Sequence, residues 1–136
     1  MAASVLVDAS FVVALFNRRD THHQWAAVQS GNHPRPWHTC EAALSEAFYL
    51  VGPRGAPWLR TFLRRGSLRL AFDLDGQLDP VLDLMEKYDG VPMSLADACL
   101  VRMTETLSDP LLLTTDSDFR IYRRHSRQVV PCLTPD

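Results

Sequence analysis

The chain has 136 residues, 46% hydrophobic and 22% charged, and is expected to fold as one domain over residues 1–136 with a core that needs no metal or disulfide staple. A formal net charge of -2 excludes a globally basic nucleic-acid binder, so a polyanion would have to meet local basic patches or bound cations. Cys40, Cys99 and Cys132 are widely spaced and form no C-x-x-C, which argues against a disulfide framework or a zinc knuckle. The sequence predicts neither a signal peptide nor a membrane span, and a reducing cytoplasm is the expected setting.

The first apolar run, Val5-Leu6-Val7, lacks polar alternation and reads as a strand buried on both faces, ended by Asp8. Ligands of open α/β sheets bind outside the carboxyl ends of the strands, so Asp8 is placed for chemistry. It is equally a suitable N-cap for the helix that follows through Phe11 to Phe16. A second helix is expected from about Thr21, broken by Gly31-Asn32-His33-Pro34. His22 and His23 are adjacent, about 100° apart on a helix, and cannot chelate one ion together.

Thr39 is the predicted N-cap of an Ala-rich helix that Gly52-Pro53 stops. Glu41 in its first turn is explained by the helix dipole. Glu46 lies five positions on, about 140° around the helix, so the two acids cannot serve one site. It sits among Ala42, Ala43, Ala47 and Leu50, where a carboxylate is costly without a cation or donors. Another helix is predicted from Pro57 to Arg65, with a strand from Leu68 to Phe72, and Arg60, Arg64, Arg65 and Arg69 are candidate RNA-binding residues.

Asp73-Leu74-Asp75-Gly76 resembles the opening motif of haloacid-dehalogenase-like phosphatases, but it stands mid-chain, is followed by Gln77, and leaves too little chain for that fold. Asp75 is instead the predicted N-cap of a helix carrying Leu78, Val81, Leu82, Met85 and Tyr88. Ser94 and Asp97 have capping-box spacing at the start of the next helix, with Asp97 framed by Ala96, Ala98 and Cys99. Pro110 to Leu113 reads as a second buried strand, leading into Thr114, Thr115, Asp116, Ser117 and Asp118. A short basic helix over Arg120 to His125 and an edge strand over Arg127 to Pro131 are expected to close the chain.

Parallel α/β topology brings strand ends and helix starts to one edge, and an oxygen-only ligand set there selects Mg²⁺ or Mn²⁺ over zinc. The ordered motifs D-x-S (Asp8, Ser10), S-E-A (Ser45 to Ala47), Y-D-G-V-P-M-S-L-A-D-A (Tyr88 to Ala98) and T-T-D-S-D-F (Thr114 to Phe119) resemble a PIN domain, specifically the VapC-like ribonuclease toxins of type II toxin-antitoxin systems. The resemblance implies a PIN-like α/β/α sandwich with a central, mainly parallel sheet. It implies catalytic, metal-holding acids at Asp8, Glu46, Asp97 and Asp116, an auxiliary acid at Asp118, and hydroxyls of Ser10 and Thr115 that orient them. The implied activity is Mg²⁺- or Mn²⁺-dependent endoribonucleolytic hydrolysis leaving 5′-phosphate and 3′-hydroxyl ends. The implied partners are RNA, a second copy in a homodimer, and a small antitoxin seated between the early helices on Trp25, Trp37, Phe48 or Tyr49. Two alternatives stay open: a PIN-fold binding protein without turnover, and a receiver-like phosphoacceptor. The latter would want an acidic pair on its first strand and a late-strand Lys, whereas the sole lysine, Lys87, falls on a helix.

Overall fold

A computed structural model describes residues 2–136. The apolar runs at Ser4–Val7 (β1) and Pro110–Leu113 (β4) form the two middle strands of the sheet. They pair in parallel over their whole length, Ser4 with Pro110 through Val7 with Leu113. Trp37–Thr39 (β2) and Leu68–Leu70 (β3) extend the sheet on the β1 side and Cys132–Leu133 (β7) on the β4 side, in the order β3-β2-β1-β4-β7 with every pairing parallel. Arg123–Arg124 (β5) and Gln128–Val129 (β6) form a separate antiparallel hairpin.

Side-chain alternation along the strands sorts the core into two layers. Leu6 and Leu112 pack on one face with Val81, Leu100, Met103, Phe119 and Tyr122. This face is covered by Leu78–Lys87 (α4) and Leu95–Thr106 (α5). Val5, Val7 and Leu113 pack on the other face with Phe11, Trp37 and Leu59. Here the cover is Ala9–Phe16 (α1), His23–Asn32 (α2) and Glu41–Arg64 (α3). The result is the α/β/α sandwich expected from the sequence. Each fully buried Leu or Phe contributes about 1.5–3 kcal/mol relative to exposure, which is why unbroken apolar strands settle at the centre. The three cysteines are free thiols, and no described helix is long and apolar enough to cross a membrane.

Several local expectations are corrected. Thr39 ends β2 instead of capping α3; the cap position is Cys40, and the Thr39 hydroxyl donates to the Val7 carbonyl at 2.8 Å, tying β2 to β1. Asp75 opens a 3-10 turn, Asp75–Gln77, and makes no cap bond to α4. In place of the basic helix expected over Arg120 to His125 the chain ends a 3-10 turn, Ser117–Arg120, and enters β5. The strand expected over Arg127 to Pro131 is present as β6, paired with β5, and the closing strand of the sheet is β7 beyond Pro131. Trp25 and Trp37 meet Phe11 edge-on at 5.9 and 5.5 Å, and Phe48 packs against the same core, so of the four proposed anchors only Tyr49 stays exposed, at 86%.

Helix α3 breaks at Gly52, with φ 65° and ψ -169°, and resumes at Pro53, so the second helical half starts earlier than Pro57. That backbone region is essentially restricted to glycine. Gly52→Ala should lower stability by about 1–3 kcal/mol through backbone strain alone, since nothing crowds the position. Gly31→Ala, in open space near the end of α2, should be neutral or stabilising by up to about 1 kcal/mol. Urea denaturation of both variants checks this; a Gly52→Ala protein as stable as wild type would contradict it.

Candidate functional site

The register of β1 and β4 continues one step past the strands and sets Asp8 beside Thr114 at the carboxyl edge of the sheet. Asp8 is buried, 7% exposed, and caps α1: its Oδ1 accepts from the Phe11 N–H at 2.9 Å and from the Ser10 hydroxyl at 2.7 Å. Its Oδ2 accepts from the Thr114 hydroxyl at 2.5 Å. The cap and the strand-end acid are thus one carboxylate in both roles. Asp97 likewise combines both readings. Ser94 and Asp97 form a reciprocal capping box on α5, and Asp97 Oδ2 also accepts from the Tyr122 hydroxyl at 3.1 Å.

Asp116 follows β4 and is pinned through its backbone, its N–H donating to Thr114 Oγ1 at 2.9 Å, while its Oδ1 accepts from the Asp118 N–H at 2.9 Å. Glu46 stands mid-way along the first half of α3. No described group donates a hydrogen bond to it, and it is the most exposed of the four acids. Together Asp8, Glu46, Asp97 and Asp116 line one pocket of about 120 Å³, walled by Ala43, Leu50, Ala96 and Leu100. No basic residue lines it. Glu41 lines a different cavity, with Cys40, Phe72 and Cys99, on another side of the same helix.

The remaining expected residues are placed differently. Asp118 does not line the pocket; it offers its backbone N–H to Asp116. The hydroxyl expected at Thr115 is that of Thr114, because alternation from Leu112 puts Thr114 on the face of Asp8, while Thr115 gives its N–H to Ser10 Oγ at 3.0 Å. Tyr122 was not singled out in the sequence. It lies beyond the last acidic motif, and only its edge-on contacts with Phe119 and Tyr88 reveal that its ring is core and its hydroxyl directed. Arg60, Arg64 and Arg65 are exposed and Arg69 donates to the Gly66 carbonyl; none lines the acidic pocket.

Burial pushes the Asp8 carboxyl up to about 6 against the pull of its three hydrogen bonds, with the charge of Asp116 adding to the rise. Burial also raises Asp97, helped by Asp116 and opposed by the bonds from Ser94 and Tyr122. Glu46 is raised by burial and then by the charge of Asp97. A site whose acids raise one another calls for a cation. The donor set is all oxygen, and Asp97 Oδ1, Asp116 Oδ2 and both Glu46 oxygens accept no protein hydrogen bond. Among the described residues no three His, Cys, Asp or Glu side chains already form a close ligating cluster. The four acids line the pocket without closing into such a cluster.

Because the folded protein holds the Asp8 proton more tightly than the unfolded chain, this group lowers stability as pH rises from about 4 to about 6, and the full cost persists above that range. In metal-free buffer Asp8→Asn should therefore gain stability over wild type between pH 4 and 7, by up to about 3 kcal/mol. Mg²⁺ or Mn²⁺ should raise the melting temperature of wild type at neutral pH by binding the native state. Replacing all four acids by amides should abolish that shift. Thermal melts with and without EDTA measure both effects; a metal-induced shift that survives the fourfold replacement would put the cation elsewhere.

No curated protein matches the chain. Among solved structures, the crystal structure of VapC20 from Mycobacterium tuberculosis, a sarcin-ricin loop cleaving toxin, is similar in fold, with a TM-score of 0.65 and 23% identity over 85% of this chain and 92% of that one. The family model for the PIN domain matches residues 5–124. That span begins on β1, ends on β5 and takes in every acid of the pocket, and the chain belongs to the PIN domain family.

Proposed function

We propose that this PIN domain is a Mg²⁺- or Mn²⁺-dependent endoribonuclease of the VapC toxin kind. The observation that carries the reading is a pocket at the carboxyl edge of the sheet, lined by four acids and no base, where several carboxylate oxygens accept no hydrogen bond. Such a pocket repels a phosphate unless cations intervene. Asp8, Glu46, Asp97 and Asp116 would hold the ion or ions. When bound, a divalent cation supplies neutralisation of the scissile phosphate, a lowered pKa for attacking water and stabilisation of the leaving 3′ oxygen.

The chain's own residues fix where that chemistry occurs. Thr114 and Ser10 lock the Asp8 carboxylate in one rotamer. Tyr122 and Ser94 engage Asp97 Oδ2 and leave Oδ1 without a protein partner. Glu46 carries a raised pKa and no competing hydrogen bond, and is suited to accept a proton from water as it attacks phosphorus. Leu100 and Ala96, both buried, back the pocket with apolar surface and strengthen the hydrogen bonds at Asp8 and Asp97.

The receiver-like alternative loses its remaining support, since Lys87 donates to the Ser126 carbonyl at 2.9 Å and does not line the pocket. Restraint by a small antitoxin belongs to the same proposal. A partner Lys or Arg entering the pocket would satisfy the carboxylates in place of metal, and Tyr49 and Leu50, exposed by 86% and 56%, offer apolar contacts for it, Leu50 at the pocket itself.

Asp97→Asn and Glu46→Gln should each fold and lose about a hundredfold or more of divalent-dependent cleavage of single-stranded RNA. Glu41→Gln should cleave like wild type. A gel assay on purified variants decides, and equal losses for Glu41 and Glu46 would contradict the assignment. Expression of the wild-type chain alone should arrest growth, Asp8→Asn should not, and the neighbouring small gene should relieve the arrest through a stable complex. A harmless wild-type chain with no co-purifying partner would remove the toxin assignment and leave the nuclease chemistry to stand on its own assay.

A further inference from the structure

An open groove of about 1040 Å³ lies away from the acids. It is lined by Leu15, Phe16, Arg18, Arg19, Arg54 and Trp58, among others, where α1 ends and α3 resumes after its break. No acid lines it. The nearest in sequence, Asp20, is engaged by the His22 N–H at 2.9 Å. None of the three guanidinium groups donates to a described residue, in contrast to Arg102 and Arg120, which are held by Glu105 and Asp136. Trp58 is 66% exposed, an unusual position for so large an apolar ring.

Two glycines shape the groove wall. Gly52 turns α3 with a positive φ. Gly55 is buried on the groove wall, where a Cβ would come within 2.6 Å of Val51 Cβ. The groove and the acidic pocket share no lining residue but draw on the same two helices, α1 and α3. Leu50 lines the pocket and Val51 the groove; Ser10 lines the pocket, and Leu15 and Phe16, at the other end of α1, line the groove. The seven rises from Ala9 to Phe16 span roughly 10 Å, the length of about three stacked nucleotides.

Resting on the ribonuclease reading, we propose that this groove holds single-stranded RNA flanking the cleaved bond, its phosphates against Arg18, Arg19 and Arg54 and a base stacked on Trp58. Unpaired guanidinium groups beside an exposed aromatic plane are the chemistry by which single strands are held without sequence readout. The arrangement also answers an electrostatic problem of the active pocket. Four carboxylates repel the polyanion they are to cut, and a cationic track some three nucleotides away offsets that repulsion outside the pocket.

The test is binding of a labelled single-stranded RNA to the full chain in EDTA, by fluorescence anisotropy over a salt series. The triple variant Arg18→Ala, Arg19→Ala, Arg54→Ala should bind about tenfold or more weakly and lower the slope of log K against log salt by about 2. RNA should quench tryptophan emission in wild type and fail to do so in Trp58→Leu, because Trp37 is buried and Trp25 is packed on Phe11. A matched removal of Arg60, Arg64 and Arg65 should cost less. Wild-type affinity and slope in the groove variant, or an equal loss in the matched variant, would overturn the inference, as would a groove variant that keeps its RNA but loses a protein partner. A protein that binds RNA through the groove yet cleaves none with Mg²⁺ would support the inference while removing the nuclease reading.

Discussion

The parallel pairing of β1 with β4 is the constraint on which the site depends. Four consecutive residue pairs, Ser4 with Pro110 to Val7 with Leu113, fix the register, and the next pair in that register is Asp8 and Thr114. A slip of one residue would turn Asp8 into the opposite layer and bring the Thr115 side chain to its place. The register is protected by burial on both faces: Leu6 and Leu112 belong to one core layer, Val7 and Leu113 to the other, and all four are fully buried. Correct packing of the core and correct placement of the carboxylate are therefore the same event.

Around that pair the fold reuses structural devices as parts of the site. Asp8 caps α1 and Asp97 completes the capping box of α5 with Ser94, so backbone donors at the starts of two helices also orient two carboxylates. The energy that a cap supplies, about 1 kcal/mol, offsets part of the cost of burying these acids. The remainder is visible in the raised pKa values of Asp8, Asp97 and Glu46, each headed by burial and each increased by another acid of the group. The acids of the pocket thus disfavour one another's charge within a stable frame, and the proposed cation would offset that repulsion.

Much of the frame was legible because apolar runs without alternation are specific to strands buried on both sides, as at Val5 to Val7 and Leu111 to Leu113. The break of α3 at Gly52 was legible for a similarly local reason. The strand at Leu68–Leu70 was legible too, but two other short strands were not. Trp37–Thr39 has three residues and no apolar run, and Cys132–Leu133 has two, so their existence is decided by the neighbours that they pair with. The hairpin of Arg123–Arg124 with Gln128–Val129 carries a basic composition that a helix would carry equally well. At the site, single carboxylates could be nominated from strand ends and helix faces, but the choice between Thr114 and Thr115 needed the register. Tyr122 needed the tertiary contact with Asp97. The cationic groove was hidden because Arg18, Arg19, Arg54 and Trp58 are scattered in sequence and meet only where α3 bends.

The central claim is that Asp8, Glu46, Asp97 and Asp116 act together as one cation-binding pocket. Anomalous diffraction from crystals of the wild-type protein grown with Mn²⁺ tests it most directly. The account predicts a manganese peak inside the pocket, coordinated by oxygens of these carboxylates and by water. A peak at another site, or an empty pocket in protein that cleaves RNA under the same Mn²⁺ conditions, would contradict it.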